Sequence, residues 1–378
     1  MWIYRPGPEH PARAGSYAGV GRYGTYDMAG NVTEWCWNQT ADRRCVSGGA
    51  WSDPGYMYTA LDAASPFDRG PTRGMRCAQY AGALPEPLTA PLANIQDHDY
   101  GKDKPVADDV FRLYRSICAY DRTGLQSHVE SIDDTSPWWR QERVSFDAAY
   151  SNERVIAFVF LPRHAAPPYQ TILFFPGGAA LRERTSEHLE LRRLDFLLRG
   201  GHAVVYPVYK GTYERSFSAP PSGPNNVRGI RIQWAKDVGR SIDYIQTRAD
   251  LDSAKLAFFG AGVGAGVGPI FAAIESRLKT VILQGGGPGG SSGVPGEAQP
   301  INFLPRVKIP VLMINGRNDF LSPLATSQIP MLRLLGTPEK DKRHAVFDCG
   351  HSVRRAEVTK EVLAWLDHYL GPVKRKEP

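Results

Sequence analysis

The run Lys255-Leu-Ala-Phe-Phe-Gly260-Ala261-Gly262-Val263-Gly264 reads as an apolar strand, a turn of small residues and the opening of a helix. In the pattern G-x-S-x-G, small flanking residues permit the strained strand-to-helix elbow that presents a hydroxyl nucleophile at a helix N-terminus. Here the centre is Gly262, so the packing features of the elbow stand without the atom that would attack a carbonyl. Two later loops carry the other groups that acyl transfer uses. Asp319 follows the apolar run Val311 to Ile314, where a carboxylate can orient an imidazole, and His351 follows His344 to Phe347 with Gly350 before it to free the loop. A lone Asp or His is most often a cap or a surface residue. Elbow, acid and histidine in this order at three strand ends instead suit a nucleophile position, an orienting acid and a base. Phe174-Phe-Pro-Gly177-Gly178 ends another apolar run, and the N–H groups of Gly178 and Val263 would form a donor pair for an oxyanion. Taken alone, that glycine pair is only a tight turn.

Around the expected mouth, the segment 206–215 carries Tyr209, Tyr213 and Arg215, which would line an acyl or alcohol pocket, Arg215 being suited to a carboxylate. The competing reading for each is a packed loop residue. The segment 285–302 is rich in Gly, Pro and Ser, as a lid or a plain surface loop would be. Its Ser291 and Ser292 are the nearest other hydroxyls in sequence, but they follow a different strand and are not expected to replace the missing nucleophile.

The elements that must position these groups alternate in period. Asp108 to Tyr120 has apolar residues at helical spacing behind an Asp pair. Val144 to Tyr150 and Val155 to Leu161 suit a hairpin, and short apolar runs follow at Thr171–Phe175, His202–Val208, Lys255–Phe259, Thr280–Leu283, Val311–Asn315 and His344–Phe347. Strands alternating with helical segments imply an α/β fold, a mostly parallel sheet covered on both faces with chemistry at the strand carboxyl ends. The boundaries expected are a loop-rich segment over 1–85, a Pro- and Ala-rich linker over 86–107 and the α/β domain over 108–373.

Composition narrows the function classes. With 45 Lys plus Arg against 39 Asp plus Glu in 378 residues, the charge of +6 is modest and mostly scattered, which argues against a nucleic-acid partner. No apolar run approaches the roughly 18 residues of a membrane span, and the first ten residues hold no signal-peptide core, so a soluble, cytoplasmic protein without membrane contact is expected. Oligomeric state has no signature. Five cysteines without metal-ligand spacing favour free thiols, with a Cys36–Cys45 pair as the alternative.

Residues 108–373 resemble the α/β-hydrolase family, in particular its dienelactone-hydrolase and prolyl-oligopeptidase-like branches. The resemblance implies an eight-stranded sheet and cofactor-independent hydrolysis of a small-molecule ester, lactone or amide through an acyl-enzyme. It places Gly262 at the nucleophile position, Asp319 as acid, His351 as base, and Gly178 and Val263 at the oxyanion hole. The function expected is a serine-hydrolase-type carboxylic ester hydrolase, esterase or lactonase, that is inactive or trapped as written. Either a serine has been removed from position 262 or the chain is a degenerate hydrolase. The alternative function is a non-catalytic ligand-binding or regulatory module of a larger protein.

Three further blocks stand near the N-terminus: Gly24-Thr-Tyr-Asp-Met-Ala-Gly-Asn-Val-Thr-Glu-Trp35, Ser47-Gly-Gly-Ala-Trp51 and Arg73-Gly-Met-Arg-Cys-Ala78. In this order they resemble the carboxyl-terminal part of the formylglycine-generating-enzyme (sulfatase-modifying factor) domain, as an end piece of a longer unit. That family needs a cysteine pair shortly after the second block, and Ser52 to Tyr58 has none, so oxidase chemistry is not expected. The resemblance also implies a structural calcium, held by carboxylates of Asp27 and Glu34 and carbonyls of Gly30 and Val32, an oxygen set that suits the ion. A turn with Asp27 capping and Glu34 solvated is the competing reading. Trp35, Trp37 and Trp51 are expected to form this segment's core rather than a sugar-stacking surface.

Overall fold

The computed structural model describes residues 10–16, 19–40, 43–53, 55–92, 98–218, 223–288 and 293–374. Ser291 and Ser292 lie outside them. Contacts divide the chain into two compact units. One comprises Met1–His98 with the loops Gly316–Leu324 and Phe347–Val353; the other comprises Asp99–Asn315, Ala325–Val346 and Arg354–Pro378.

The first unit is built on a four-stranded sheet of β1 (Thr33–Thr40), β2 (Arg43–Ser47), β3 (Leu61–Ala64) and β4 (Arg73–Gly74), in the order β3-β2-β1-β4. The sheet gives this otherwise irregular segment its core, for Cys45, Val46, Ala63 and Ala64 are buried where β2 and β3 pair. Two glycine-dependent turns frame it. Gly30 takes φ +82° and donates its N–H to Gly48 O at 2.7 Å, and Gly48 and Gly49 both have positive φ, which glycine adopts without the strain of a Cβ. A short helix α1 (Glu86–Thr89) follows the sheet.

The second unit opens with helix α2 (Asp108–Ile117) and is organised by a sheet that runs β5 (His128–Asp133), β6 (Trp139–Asp147), β7 (Arg154–Pro162), β8 (Tyr169–Phe175), β9 (Ala203–Val208), β10 (Leu251–Ala261), β11 (Thr280–Gln284), β12 (Val311–Gly316) and β13 (Lys342–Phe347) along the chain. Its spatial order is β13-β12-β11-β10-β8-β9-β7-β6-β5. Strands β9, β8, β10, β11 and β12 pair in parallel, and β7, β6 and β5 add an antiparallel flank. Every residue of β8, β9, β11 and β12 is buried, as central strands covered on both faces require. The covering helices are α3 (Leu191–Gly200), α4 (Pro224–Thr247), α5 (Val263–Ile274), α6 (Ile329–Leu334) and α7 (Arg355–Leu370). Eight of the nine strands overlap the apolar runs read from the sequence, although Val144–Tyr150 runs past the end of β6 and His202 precedes β9. The ninth, β5, is exposed at every position and carries no burial pattern, so only its pairing with β6 makes it a strand. Among the described residues no helix is long and apolar enough to cross a membrane.

Candidate active site

The second unit supplies the elbow. Strand β10 ends at Ala261, and Gly262 turns the chain into α5 with φ +49° and ψ −108°, a conformation that L side chains rarely adopt. Its N–H donates to Gln284 O at 2.8 Å, and its carbonyl accepts from Gly266 N at 2.9 Å. The turn is anchored from both directions. The flanking glycines are required by space: a Cβ on Gly260 would collide with the Gly264 peptide, and one on Gly264 would lie 2.5 Å from Phe175 O at the end of β8. The chain therefore makes the sharp strand-to-helix turn that an elbow needs, at a residue without a hydroxyl.

Gly178 opens a single helical turn, Gly178–Leu181, just past β8. Because Phe175 and Gly260 are partners in the parallel β8–β10 pair, the turns carrying Gly178 and Val263 leave neighbouring strands at the same sheet edge. That is where an oxyanion donor pair belongs.

The residues expected near β9 to line a pocket are buried in the structure. Tyr209 is fully buried, stacks on Phe175 with ring centroids 4.0 Å apart, and donates its hydroxyl to Phe174 O. Tyr213 shares a 2.7 Å hydroxyl–hydroxyl bond with Tyr206. Arg215 pairs with Asp237 at 2.6 Å, with side-chain exposures of 6% and 0%, and also donates to Val208 O and Tyr150 Oη. A guanidinium so engaged holds the core together.

The first unit carries Asp319 and His351, the expected acid and base. The loop after β12 places Asp319 where Oδ1 accepts the N–H groups of Leu321 at 2.8 Å and Ser322 at 3.1 Å. Its Oδ2 lies 2.8 Å from His351 Nδ1, and both side chains are buried. A carboxylate can only accept, so Nδ1 carries the proton and the ring's basic lone pair is on Nε2, the arrangement a general base requires. The two loops are tied together at Arg317 N to Phe347 O (2.8 Å) and Asn318 N to Cys349 O (3.0 Å). Arg43 of β2 reaches Asp348 at 2.8 Å.

Sequence reasoning missed one group here. Asp62, on β3, accepts the backbone N–H of His351 at 3.0 Å and that of Ala63 at 2.9 Å. Its carboxyl is pushed up to about 7, first by burial and then by the negative charge of Asp319. The signal lay in Leu61-Asp62-Ala63-Ala64, where a single carboxylate interrupts a strand of small apolar residues.

Both carboxylates of the expected calcium set have partners within the protein. Glu34 is bound through both oxygens by the Arg76 guanidinium at 2.9–3.2 Å, and Asp27 accepts from Gly15 N. Arg76 also donates to the backbone Asp27 O, so a fixed cation already engages the Glu34 carboxylate. No group of three or more His, Cys, Asp or Glu suited to a metal occurs among the described residues. Trp37 is a further correction: 73% exposed and under the Arg44 guanidinium, it is not core, whereas Trp35 and Trp51 are half-buried. All five cysteines are free thiols.

Comparison with known proteins agrees with both parts of the chain. The model of the sulfatase-modifying factor enzyme 1-like domain matches residues 8–81. Among solved structures, an acetyl xylan esterase from Paenibacillus sp. R4 aligns with a TM-score of 0.56 at 16% identity, over 71% of this chain and 98% of that one. Acetyl xylan esterase 1 from Thermoanaerobacterium sp. JW/SL YS485 gives 0.56 at 14%, over 71% and 96%. A cold-adapted esterase from an Arctic intertidal metagenomic library gives 0.51 at 19%, over 63% and 99%. With the mostly parallel, helix-flanked sheet, these likenesses establish an α/β-hydrolase fold.

Proposed function

We propose that the chain is a carboxylic ester hydrolase frame whose nucleophile position is glycine. The observation that carries this reading is the coexistence of an elbow held at φ +49° on Gly262 with a buried 2.8 Å Asp319–His351 bond. Either feature alone has a structural explanation. Acyl transfer uses both features, and structural likeness to esterases supports the same chemistry.

With serine at position 262, Oγ would form a bond to the ester carbonyl carbon as His351 Nε2 takes its proton. The oxyanion would be met by the N–H groups of Gly178 and Val263. Collapse would break the bond to the alcohol oxygen, His351 returning the proton to that leaving group, and water would repeat the steps to release the acid. Asp319 would keep the ring oriented and stabilise the imidazolium. No cofactor is needed. As written the first bond cannot form, so the chain retains a binding site and, at most, water attack assisted by His351.

The second reading, a non-catalytic ligand-binding module, is favoured by Gly262 itself. Hydrolysis of p-nitrophenyl esters of graded chain length by the parent, Gly262→Ser and Gly262→Ser/His351→Ala separates the two. The hydrolase reading requires Gly262→Ser to exceed the parent by at least about 10³-fold and the double variant to lose that gain. A folded Gly262→Ser that binds ester ligands and turns none over leaves the binding module.

A further inference from the structure

The acid and base loops cluster with the N-terminal segment, and one side chain of that segment touches the catalytic histidine's own peptide. We infer that Asp62 is a positioning residue for His351: its carboxylate fixes the backbone that carries the imidazole and lays a second negative group beside the Asp319–His351 pair. The N-terminal segment then contributes a working part of the site, an inference that rests on the hydrolase reading above.

Three observations carry it. Asp62 lies on β3, an edge strand of the four-stranded sheet, and its two oxygens take the N–H groups of Ala63 and His351, so one side chain links that sheet to the histidine loop. Gly350 makes the approach possible, because a Cβ there would overlap the Asp62 carboxylate. The loop glycine that would free the histidine to swing instead makes room for the group that holds it. Finally, the residue is an acid where a neutral acceptor would serve a purely structural link. A buried carboxylate beside a second carboxylate is costly, and its effect on the reaction is specific: negative charge near the ring favours the imidazolium that forms as the nucleophile loses its proton.

The charged and titratable surroundings are few. Asp319 and His351 face Asp62 from the two loops. On β2, packed alongside, Cys45 lies opposite Ala63 and Arg44 opposite Ala64, with Arg44 bonded to Trp37 O. Arg43 is occupied by Asp348, which also accepts from Asn318. Burial, and then the Asp319 charge, displace the Asp62 carboxyl to about 7.

Two measurements test the assignment. In the chain as it stands, carbon NMR of labelled Asp and His should show the Asp62 carboxyl titrating with a midpoint near 7 and the His351 ring resonances moving in the same step. Asp62→Asn should remove that step from the ring. A carboxyl titrating in the ordinary range, or ring resonances identical in the folded Asp62→Asn protein at every pH, overturns the proposal. In the Gly262→Ser background, Asp62→Ala should lower kcat about 10- to 100-fold with KM changed less than about twofold. Asp62→Asn, which keeps an acceptor, should recover most of that loss below pH 7, where Asp62 is itself largely neutral. A loss confined to KM, or equal losses for Asn and Ala across the pH range, overturns it. If Gly262→Ser hydrolyses no ester, the hydrolase reading falls, while the NMR measurement still decides whether Asp62 governs His351.

Discussion

Around Gly262 the geometry comes from side chains that are absent, whereas around His351 it comes from charges that are present. At the elbow, Gly260 and Gly264 let peptide approach peptide, Gly262 accepts a left-handed turn, and no ionisable group is involved. At the histidine, Asp319 and Asp62 together accept four backbone N–H groups and the ring proton, and hold two loops against a small sheet. The first arrangement is specified by volume and survives any change of chemistry at its centre. The second is specified by protonation and responds to pH. A glycine at the centre of the elbow therefore leaves the turn itself intact, and the Asp319–His351 bond does not depend on what stands at position 262.

The two kinds of charge in this molecule make the comparison sharper. Arg215 and Asp237 are buried as a neutralised pair, and Arg215→Ala leaves Asp237 without its cation. The cost should be about 3–5 kcal/mol in urea unfolding, the largest effect predicted here, and Asp237→Ala should cost a similar amount. If Arg215→Ala is instead neutral for stability but alters substrate preference in a Gly262→Ser background, the arginine belongs to a pocket after all.

Gly264→Ala tests the steric half. Its Cβ would press on Phe175 O and the Phe175 ring, neither of which can move without shifting β8, so a loss of roughly 2–3 kcal/mol is expected. Gly262→Ser should cost about 1–2 kcal/mol, because the residue must hold φ +49° with a Cβ attached. Activity should rise as stability falls in that variant. A Gly262→Ser protein as stable as its parent would mean that the turn relaxes, and with it the geometry on which the hydrolase reading depends.

Much of this was legible from the chain. Eight strands announced themselves as apolar runs because central strands are buried on both faces, and the expectation of an elbow with Asp319 and His351 came from small residues and polar groups at those strands' ends. What escaped did so for physical reasons. Strand β5 is exposed throughout and gets its conformation from β6 alone. Tyr209, Tyr213 and Arg215 sit next to a strand end, where mouth and core residues look alike in sequence, and the partners that bury Tyr209 and Arg215, the Phe175 ring and Asp237, are distant in the chain. Asp62 and His351 are separated by 289 residues, and no local pattern links a strand of one segment to a loop of the other.

The smallest effect is the one that separates charge from shape. Asp62 has its folded carboxyl raised to about 7 from an ordinary 3.8, so the folded state binds the proton more tightly than the unfolded one. Its contribution is thus present in full below about pH 4 and is lost as pH rises through 7, the reverse of a salt-bridged carboxylate. At about 1.4 kcal/mol per unit, the ionised form at pH 8 is disfavoured by at most about 4 kcal/mol, much of which screening and relaxation remove. Asp62→Asn abolishes that penalty but turns an amide N–H toward one of the two backbone donors and forfeits a hydrogen bond worth about 1–2 kcal/mol. The net expectation is a variant about 1–2 kcal/mol more stable than the parent at pH 8 and about 1–2 kcal/mol less stable at pH 4, with the curves crossing between. Urea unfolding at the two pH values measures this directly. Parallel curves would mean that Asp62 is held by geometry alone, and the division between a site half built by space and a site half built by charge would not hold.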